Sequence, residues 1–275
     1  MSMATMVRAA SQVFGRLCPD ATAKFAEDMV TRPRRRQVAV AQSATGLHPG
    51  EWITLGGHIH ALRWGQDGPA VVALHGWEGH PGQFTPLANR LAAAGYQVFS
   101  LNAPAHGKDA NRRTHVGAFA DYLGEASREI GTPAGIIGHS MGAGATLIAM
   151  AAGLAADKAV LIAGPADFRG ILRRASLELG LPASVHRRFL QRMQRRVGLK
   201  YSDLRAETLL TRINSPLLVV HDHGDRQIPF RDAERLVHGA NQAELLATTG
   251  LGHGRILASD AVAERITGFL QAAQV

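Results

Sequence analysis

Residues 134–138 form a short apolar run, bounded upstream by Gly131, Thr132 and Pro133, that leads without a spacer into Gly138-His139-Ser140-Met141-Gly142. The following segment, 141–156, carries no charge and is rich in Ala, Leu and Met. A continuous apolar run of this length reads as a strand buried on both faces, and the uncharged segment after it reads as a buried helix. A strand that passes directly into a helix needs a turn too tight for side chains on either side, which accounts for Gly138 and Gly142. The turn holds Ser140 at the C-terminal edge of a sheet, and the helix start leaves the Met141 N–H without an intrahelical partner. With 30 Gly and 11 Ser in 275 residues, composition alone yields about 0.13 Gly-x-Ser-x-Gly motifs per chain, so the weight rests on the strand–turn–helix context.

The rest of the chain repeats the same alternation. Segments 52–55 and 59–64, separated by Gly56-Gly57, read as a hairpin. Strand patterns follow at 70–74, 98–101, 134–138, 159–163, 217–221 and 244–247, interleaved with helical patterns at 84–94, 118–130, 141–156, 231–238 and 259–273. This alternation predicts an α/β fold: a mostly parallel twisted sheet with helices on both faces and the leading hairpin as an antiparallel edge. A chain of 275 residues is long enough for a substantial core in one such unit.

Two stretches stand outside that pattern, and together they hold most of the positive charge. Residues 1–36 read as a helical N-terminal extension, with Met6, Ala10, Val13, Phe14 and Leu17 at helical spacing as a face that packs on the body or a partner; Arg32-Pro33-Arg34-Arg35-Arg36 ends it as a solvated linker. Residues 167–214 read as a helical insertion between two strands of a core formed by 52–166 and 215–275. In it Val185, Phe189, Met193 and Val197 recur every four residues among arginines. Leaving the C-terminal edge of the sheet, the insertion is placed to cover Ser140 as a lid, and Phe189 and Met193 are expected to influence substrate selectivity.

The formal charge of +8 divides into seven Lys/Arg against three Asp/Glu in 1–36 and eleven against four in 167–214, leaving a slightly acidic body. No nucleic-acid signature accompanies the arginines, so nucleic acid is not the expected partner; a solvated basic face is favoured over membrane-surface contact. Cys18 is the only cysteine, which excludes an intramolecular disulfide. With no apolar leader at the start of the sequence, this predicts a cytoplasmic protein.

A serine hydroxyl becomes a nucleophile near neutral pH only with a base in reach and an acid to hold that base in the right tautomer. His253, in Gly250-Leu251-Gly252-His253-Gly254, is the candidate base; Asp225, in Asp222-His223-Gly224-Asp225-Arg226-Gln227-Ile228-Pro229, is the candidate acid, with Asp222 and Asp167 as rivals. The loop His75-Gly76-Trp77-Glu78-Gly79-His80 offers the Trp77 N–H, beside that of Met141, to an oxyanion. His221 and His223 share a strand face without an evident third ligand, so no metal is expected.

In this order the motifs resemble those of the α/β-hydrolase superfamily over 52–275. His-Gly-x-x-Gly-His at 75–80 and Gly-His-Ser-Met-Gly at 138–142 are similar to its lysophospholipase and monoacylglycerol-lipase branch. The chain departs from the family pattern in carrying Asn102-Ala103-Pro104-Ala105-His106-Gly107 where Asp-x-Pro-Gly-His-Gly is common, and Asp222 where Gly is usual. The resemblance implies a serine hydrolase acting on a small acyl ester, with no cofactor, in which His75 and His106 brace loops and His139, beside Ser140, is structural. Acyl transfer, amide hydrolysis or perhydrolysis on the same residues is the alternative, as is a slow ligand-binding homologue.

Overall fold

The computed structural model describes residues 3–34 and 46–272. Its strands are β1 (Glu51–Leu55), β2 (Ile59–Trp64), β3 (Ala70–Leu74), β4 (Gln97–Leu101), β5 (Gly135–His139), β6 (Ala159–Ile162), β7 (Leu217–Asp222) and β8 (Ala243–Thr248), each within one residue of the sequence expectation at either end. They form one sheet in the order β1-β2-β4-β3-β5-β6-β7-β8. The β1–β2 and β2–β4 pairs are antiparallel, and all pairs from β4 to β8 are parallel. The hairpin therefore sits at one edge, as its Gly56-Gly57 turn predicts.

Strand order reverses around β3: the chain steps from β3 out to β4, then returns to place β5 on the opposite side of β3. In such a sheet the crevice beyond the carboxyl ends of the two strands flanking the reversal is where ligands bind. The loop after β3 and the turn after β5 both open there, so the topology brings His75–His80 and Ser140 to one place.

Successive side chains of the central strands enter opposite layers. Val72 and Leu74 of β3, Ile136 of β5 and Val219 of β7 pack with Phe119 and Leu123 of α4 (Val116–Ile130) and with Leu147 of α5 (Met141–Ala151). Val71, Ala73, Ile137 and Val220 pack with Leu87 and Leu91 of α3 (Thr85–Ala93) and with Ile266 and Phe269 of α11 (Asp260–Gln271). Burial on both faces is the physical reason these strands read as unbroken apolar runs. Helix α5 is shorter than its uncharged sequence suggests. Gly153 takes φ 107°, and the N–H groups of Leu154 and Gly153 bond to the carbonyls of Ala149 and Met150, a Schellman stop available only with a left-handed residue at that point.

The N-terminal residues form two helices, α1 (Met3–Leu17) and α2 (Pro19–Thr31), and 168–210 contains α6 (Phe168–Glu178), α7 (Ala183–Val197) and α8 (Ala206–Leu210). Arg35 and Arg36 of the expected linker lie outside the described residues. Helices α2 and α7 pack together through Ala23 and Ala26 against Val185, Phe189, Leu190 and Met193, a separate small core. Buried Glu27 sits at their seam, 2.5 Å from both Arg192 and Arg196. Burial raises its pKa, but the two guanidinium hydrogen bonds outweigh that and hold it ionised below the usual carboxylate range.

Two expectations are corrected here. The stripe Met6, Ala10, Val13, Phe14 and Leu17 does not pack on the body of the chain; all five side chains are exposed. The contact face of α1 is instead Ser11 and Gly15, because a side chain at Gly15 would lie 2.8 Å from Pro182 of the insertion. Phe189 and Met193 face α2 rather than open space, so their periodicity reports a helix–helix core. Among the described residues no helix is long and apolar enough to cross a membrane.

Phe189, wholly buried between α7 and α2, is expected to cost about 3–5 kcal/mol of stability when truncated to alanine. A chemical denaturation curve measures this; a loss below about 1 kcal/mol would mean that the α2–α7 core contributes little to folding.

Candidate active site

Ser140 occupies the turn between β5 and α5 with φ 54° and ψ −117°, a backbone conformation unfavourable for a residue with a side chain. Its surroundings enforce it. A side chain at Gly142 would begin 2.1 Å from the Leu74 carbonyl oxygen, and one at Gly138 would begin 2.5 Å from Ala143 Cα. The Ser140 N–H is tied to the Ile162 carbonyl at 2.9 Å, which fixes the turn to β6. Met141 opens α5, whose first N–H groups have no partner within the helix.

The loop after β3 presses against this turn. A side chain at Gly76 would lie 2.7 Å from Ser140 Cβ and 3.2 Å from its Oγ, so Gly76 permits the approach and Trp77 follows beside the serine. Residues 76–79 close a turn through the Gly79 N–H to the Gly76 carbonyl, with Glu78 at positive φ. The Glu78 N–H donates to His106 Nε2 at 3.0 Å, and its carboxylate accepts from the Arg34 N–H at 3.1 Å. Thus the chain that follows α2 reaches the loop carrying Trp77.

His75 and His106 act as the braces the sequence suggests. His75 Nδ1 donates to the Gly76 carbonyl and its Nε2 accepts from the Ala103 N–H, joining the loops after β3 and β4. Complete burial, with the nearby His106 adding to it, pushes its pKa down to about 3, so it stays neutral. The His106 ring bonds to the Pro104 carbonyl through Nδ1. In the same loop Ala105 takes φ 65° where the family pattern has glycine, and Asn102 Nδ2 donates to the His106 carbonyl; the bend survives both replacements.

Asp225 and His253 come together, with Asp225 Oδ2 2.7 Å from His253 Nδ1. Asp225 Oδ1 accepts from the N–H groups of Gln227 and Ile228 at 2.8 and 3.0 Å. Burial raises the Asp225 pKa, but the His253 hydrogen bond and these two N–H groups outweigh it and leave the carboxyl below its ordinary range. With Nδ1 committed to Asp225, Nε2 is the nitrogen available to a reacting group. His253 lies on the short α10 (Gly252–Arg255), and its carbonyl accepts from Nε2 of His139, whose ring is 4.9 Å away. Ser140 is the residue after His139. Its Oγ makes no hydrogen bond among the described residues, and serine–histidine contacts of this kind are often loose before substrate binds. Burial, with His253 next, pushes the His139 pKa down to about 4, which keeps that ring a neutral hydrogen-bond partner.

The rival acids have other partners. Asp222 accepts from the Gly224 N–H on Oδ1 and from Thr248 Oγ1 and the Leu251 N–H on Oδ2, so it ties the end of β7 to the loop that carries His253. Asp167 caps α6 through the Gly170 N–H. His221 Nε2 is engaged by the Ile228 carbonyl, and His223 stacks on Phe230 at 3.7 Å. Among the described residues no cluster of three or more His, Cys, Asp or Glu is placed to hold a metal. The part Asp222 takes in holding the His253 loop has no signature in the sequence, where it reads only as a second acid.

Comparison with known proteins agrees with the fold. The family described as "Alpha/beta hydrolase family" matches residues 71–265. A monoacylglycerol lipase of Mycolicibacterium smegmatis is 29% identical over 104 residues, 35% of this chain and 37% of that protein, so the chain spans little more than a third of that curated relative. A solved esterase from Exiguobacterium antarcticum shares the fold with a TM-score of 0.61 at 20% identity, over 81% of this chain and 100% of the esterase. A solved membrane phospholipase A, described as a bacterial virulence factor, shares it with a TM-score of 0.62 at 18% identity, over 97% of this chain and 94% of its own.

Backbone N–H groups of Leu251, Gly252 and Gly224 and the Thr248 hydroxyl overcome the raising effect of burial and depress the Asp222 pKa to about 2. A carboxylate whose folded pKa lies below its unfolded value contributes stability that is complete above about pH 5 and lost as the pH falls through the folded value. Asp222→Asn should therefore lower stability at neutral pH by roughly 2 kcal/mol and flatten its decline between about pH 5 and 2. Thermal melts across that range test this; parallel curves for the two proteins would remove Asp222 from the acid response.

Proposed function

The chain belongs to the alpha/beta hydrolase family, and from that premise we propose that it hydrolyses carboxylic esters of small acyl substrates through an acyl-enzyme on Ser140. The observation that carries the reading is the Ser140 turn itself: a strained φ of 54° at the point where strand order reverses, with the Asp225–His253 pair on the neighbouring loops. Strain of this kind persists only where surrounding structure enforces it, and it clusters at reactive residues.

In this reading Ser140 Oγ attacks the ester carbonyl carbon while His253 Nε2 takes its proton. The carbonyl oxygen gains the negative charge, which the N–H groups of Met141 and Trp77 receive. Collapse of the tetrahedral intermediate breaks the bond to the alcohol oxygen, and His253 returns the proton to that leaving group. Water, deprotonated by His253 in turn, cleaves the acyl-enzyme and regenerates Ser140. Asp225 orients His253 and stabilises its protonated form. No step uses a metal or cofactor.

Residues 167–214 serve as the lid in this proposal, over a core of 52–166 and 215–275. Support comes from the connection: the insertion leaves the C-terminal end of β6 and returns before β7, the strands next in order after β5. A cytoplasmic setting, read from the single cysteine, belongs to the same proposal. The esterase and lipase activities of the matched proteins favour ester over amide chemistry.

A fluorophosphonate probe should label the peptide containing Ser140 and leave Ser140→Ala unlabelled; labelling of that variant at another serine would overturn the assignment. Asp225→Asn should lower kcat by several orders of magnitude, about 10⁴ in a comparable serine-protease triad, through the wrong His253 tautomer. Near-normal turnover by the folded variant would remove Asp225 from the mechanism.

A further inference from the structure

Ten large apolar side chains are exposed among the described residues, and six of them, Met6, Val13, Phe14, Leu17, Phe25 and Met29, lie on α1 and α2. Leu17 is 73% and Phe14 60% exposed, values unusual for residues of this size standing together on two adjacent helices. Between the helices runs an open groove of about 410 Å³, lined mainly by apolar side chains that include Val7, Phe14 and Phe25, together with Ser11 and Thr22. The opposite side of α2 is closed against α7, so this apolar surface is the outer face of the arm and is not spare core.

Charge separates the possible occupants of this face. Helix α1 carries Arg8 and Arg16 and no acidic residue. Every acidic residue of α2 is already paired: Asp20 with Arg188, Glu27 with Arg192 and Arg196, and Asp28 with Arg113 and Arg32. Arg16 and Lys24, and on the adjoining α7 Arg187 and Arg195, have no acidic partner among the described residues. A second copy of a chain with net charge +8 would bring the same cations against them. An anionic lipid surface satisfies both features, since apolar side chains enter the boundary between headgroups and acyl chains while arginine and lysine meet the headgroups.

We propose that the α1–α2 hairpin docks the protein peripherally on an anionic lipid bilayer, with Phe14, Leu17 and Phe25 inserted and Arg16 and Lys24 in the headgroup layer. This inference stands apart from the catalytic reading, because it uses no residue of the Ser140 site.

The test is flotation of the purified full-length protein with phosphatidylcholine vesicles, with and without phosphatidylglycerol. Binding is expected to the phosphatidylglycerol vesicles and to weaken as salt rises from about 0.05 to 0.5 M. Phe14→Glu and Leu17→Glu should each lower partitioning at least about tenfold. Both side chains are exposed, so thermal melts should match the parent; Phe25→Ser provides a milder change on the other helix if either variant melts early. Absence of binding to phosphatidylglycerol vesicles, or equal binding by the well-folded variants, overturns the proposal. So does light scattering that shows a dimer which Phe14→Glu dissociates without any vesicle binding, since the face is then an interface between copies.

Discussion

The backbone of the loop after β3 and the turn after β5 occupy the same small volume, and that contact organises the molecule. The Leu74 carbonyl stands where a side chain on Gly142 would begin, and Ser140 Cβ stands where one on Gly76 would begin. Neither approach tolerates a methyl group, so the two glycines permit the serine and the loop carrying Trp77 to share one crevice. The cost is a serine held at positive φ. It is met by the Ser140 N–H bond to Ile162 and by the buried sheet on both sides of β5.

Around that contact the polar side chains divide their work by burial and geometry. His75 and His139 have the burial of core residues and pKa values driven down to about 3 and 4, which makes them fixed, neutral connectors between loops. His253 is held by Asp225 on one nitrogen while the other remains open to a reacting group. The two neighbouring aspartates differ in what they face: Asp225 points to an imidazole, whereas Asp222 is held by a hydroxyl and backbone N–H groups. Each carboxylate accepts three hydrogen bonds; those of Asp222 all come from the loops' own hydroxyl and N–H groups, whereas one of those on Asp225 comes from the His253 ring.

The arginine-rich insertion finds part of its charge balance in the N-terminal arm. Glu27 and Asp20 of α2 meet arginines of α7, and the apolar sides of the two helices close over Phe189. The arm continues to Arg34, which reaches Glu78 beside Trp77. Two segments far apart in sequence thus form one unit at the side of the sheet where Ser140 opens.

The strands, their order of burial and the Ser140 turn were legible in the sequence because each rests on local physics: continuous apolar runs for strands covered on both faces, and glycines where backbones crowd. That Asp225 rather than Asp222 meets His253 was partly legible from its position beyond the strand end, but the hydrogen bonds that separate the two come from Thr248, Leu251 and His253 on other loops. Helical periodicity located the amphipathic faces of α1 and α7 and said nothing of what they would meet. Gly15 against Pro182 turned the apolar stripe of α1 outward, and Ala23 and Ala26 of α2 took the face of α7 that the sequence alone would assign to a ligand. A pattern along one helix records that a surface is apolar; which neighbour covers it depends on the packing of distant segments, and only the tertiary structure decides that.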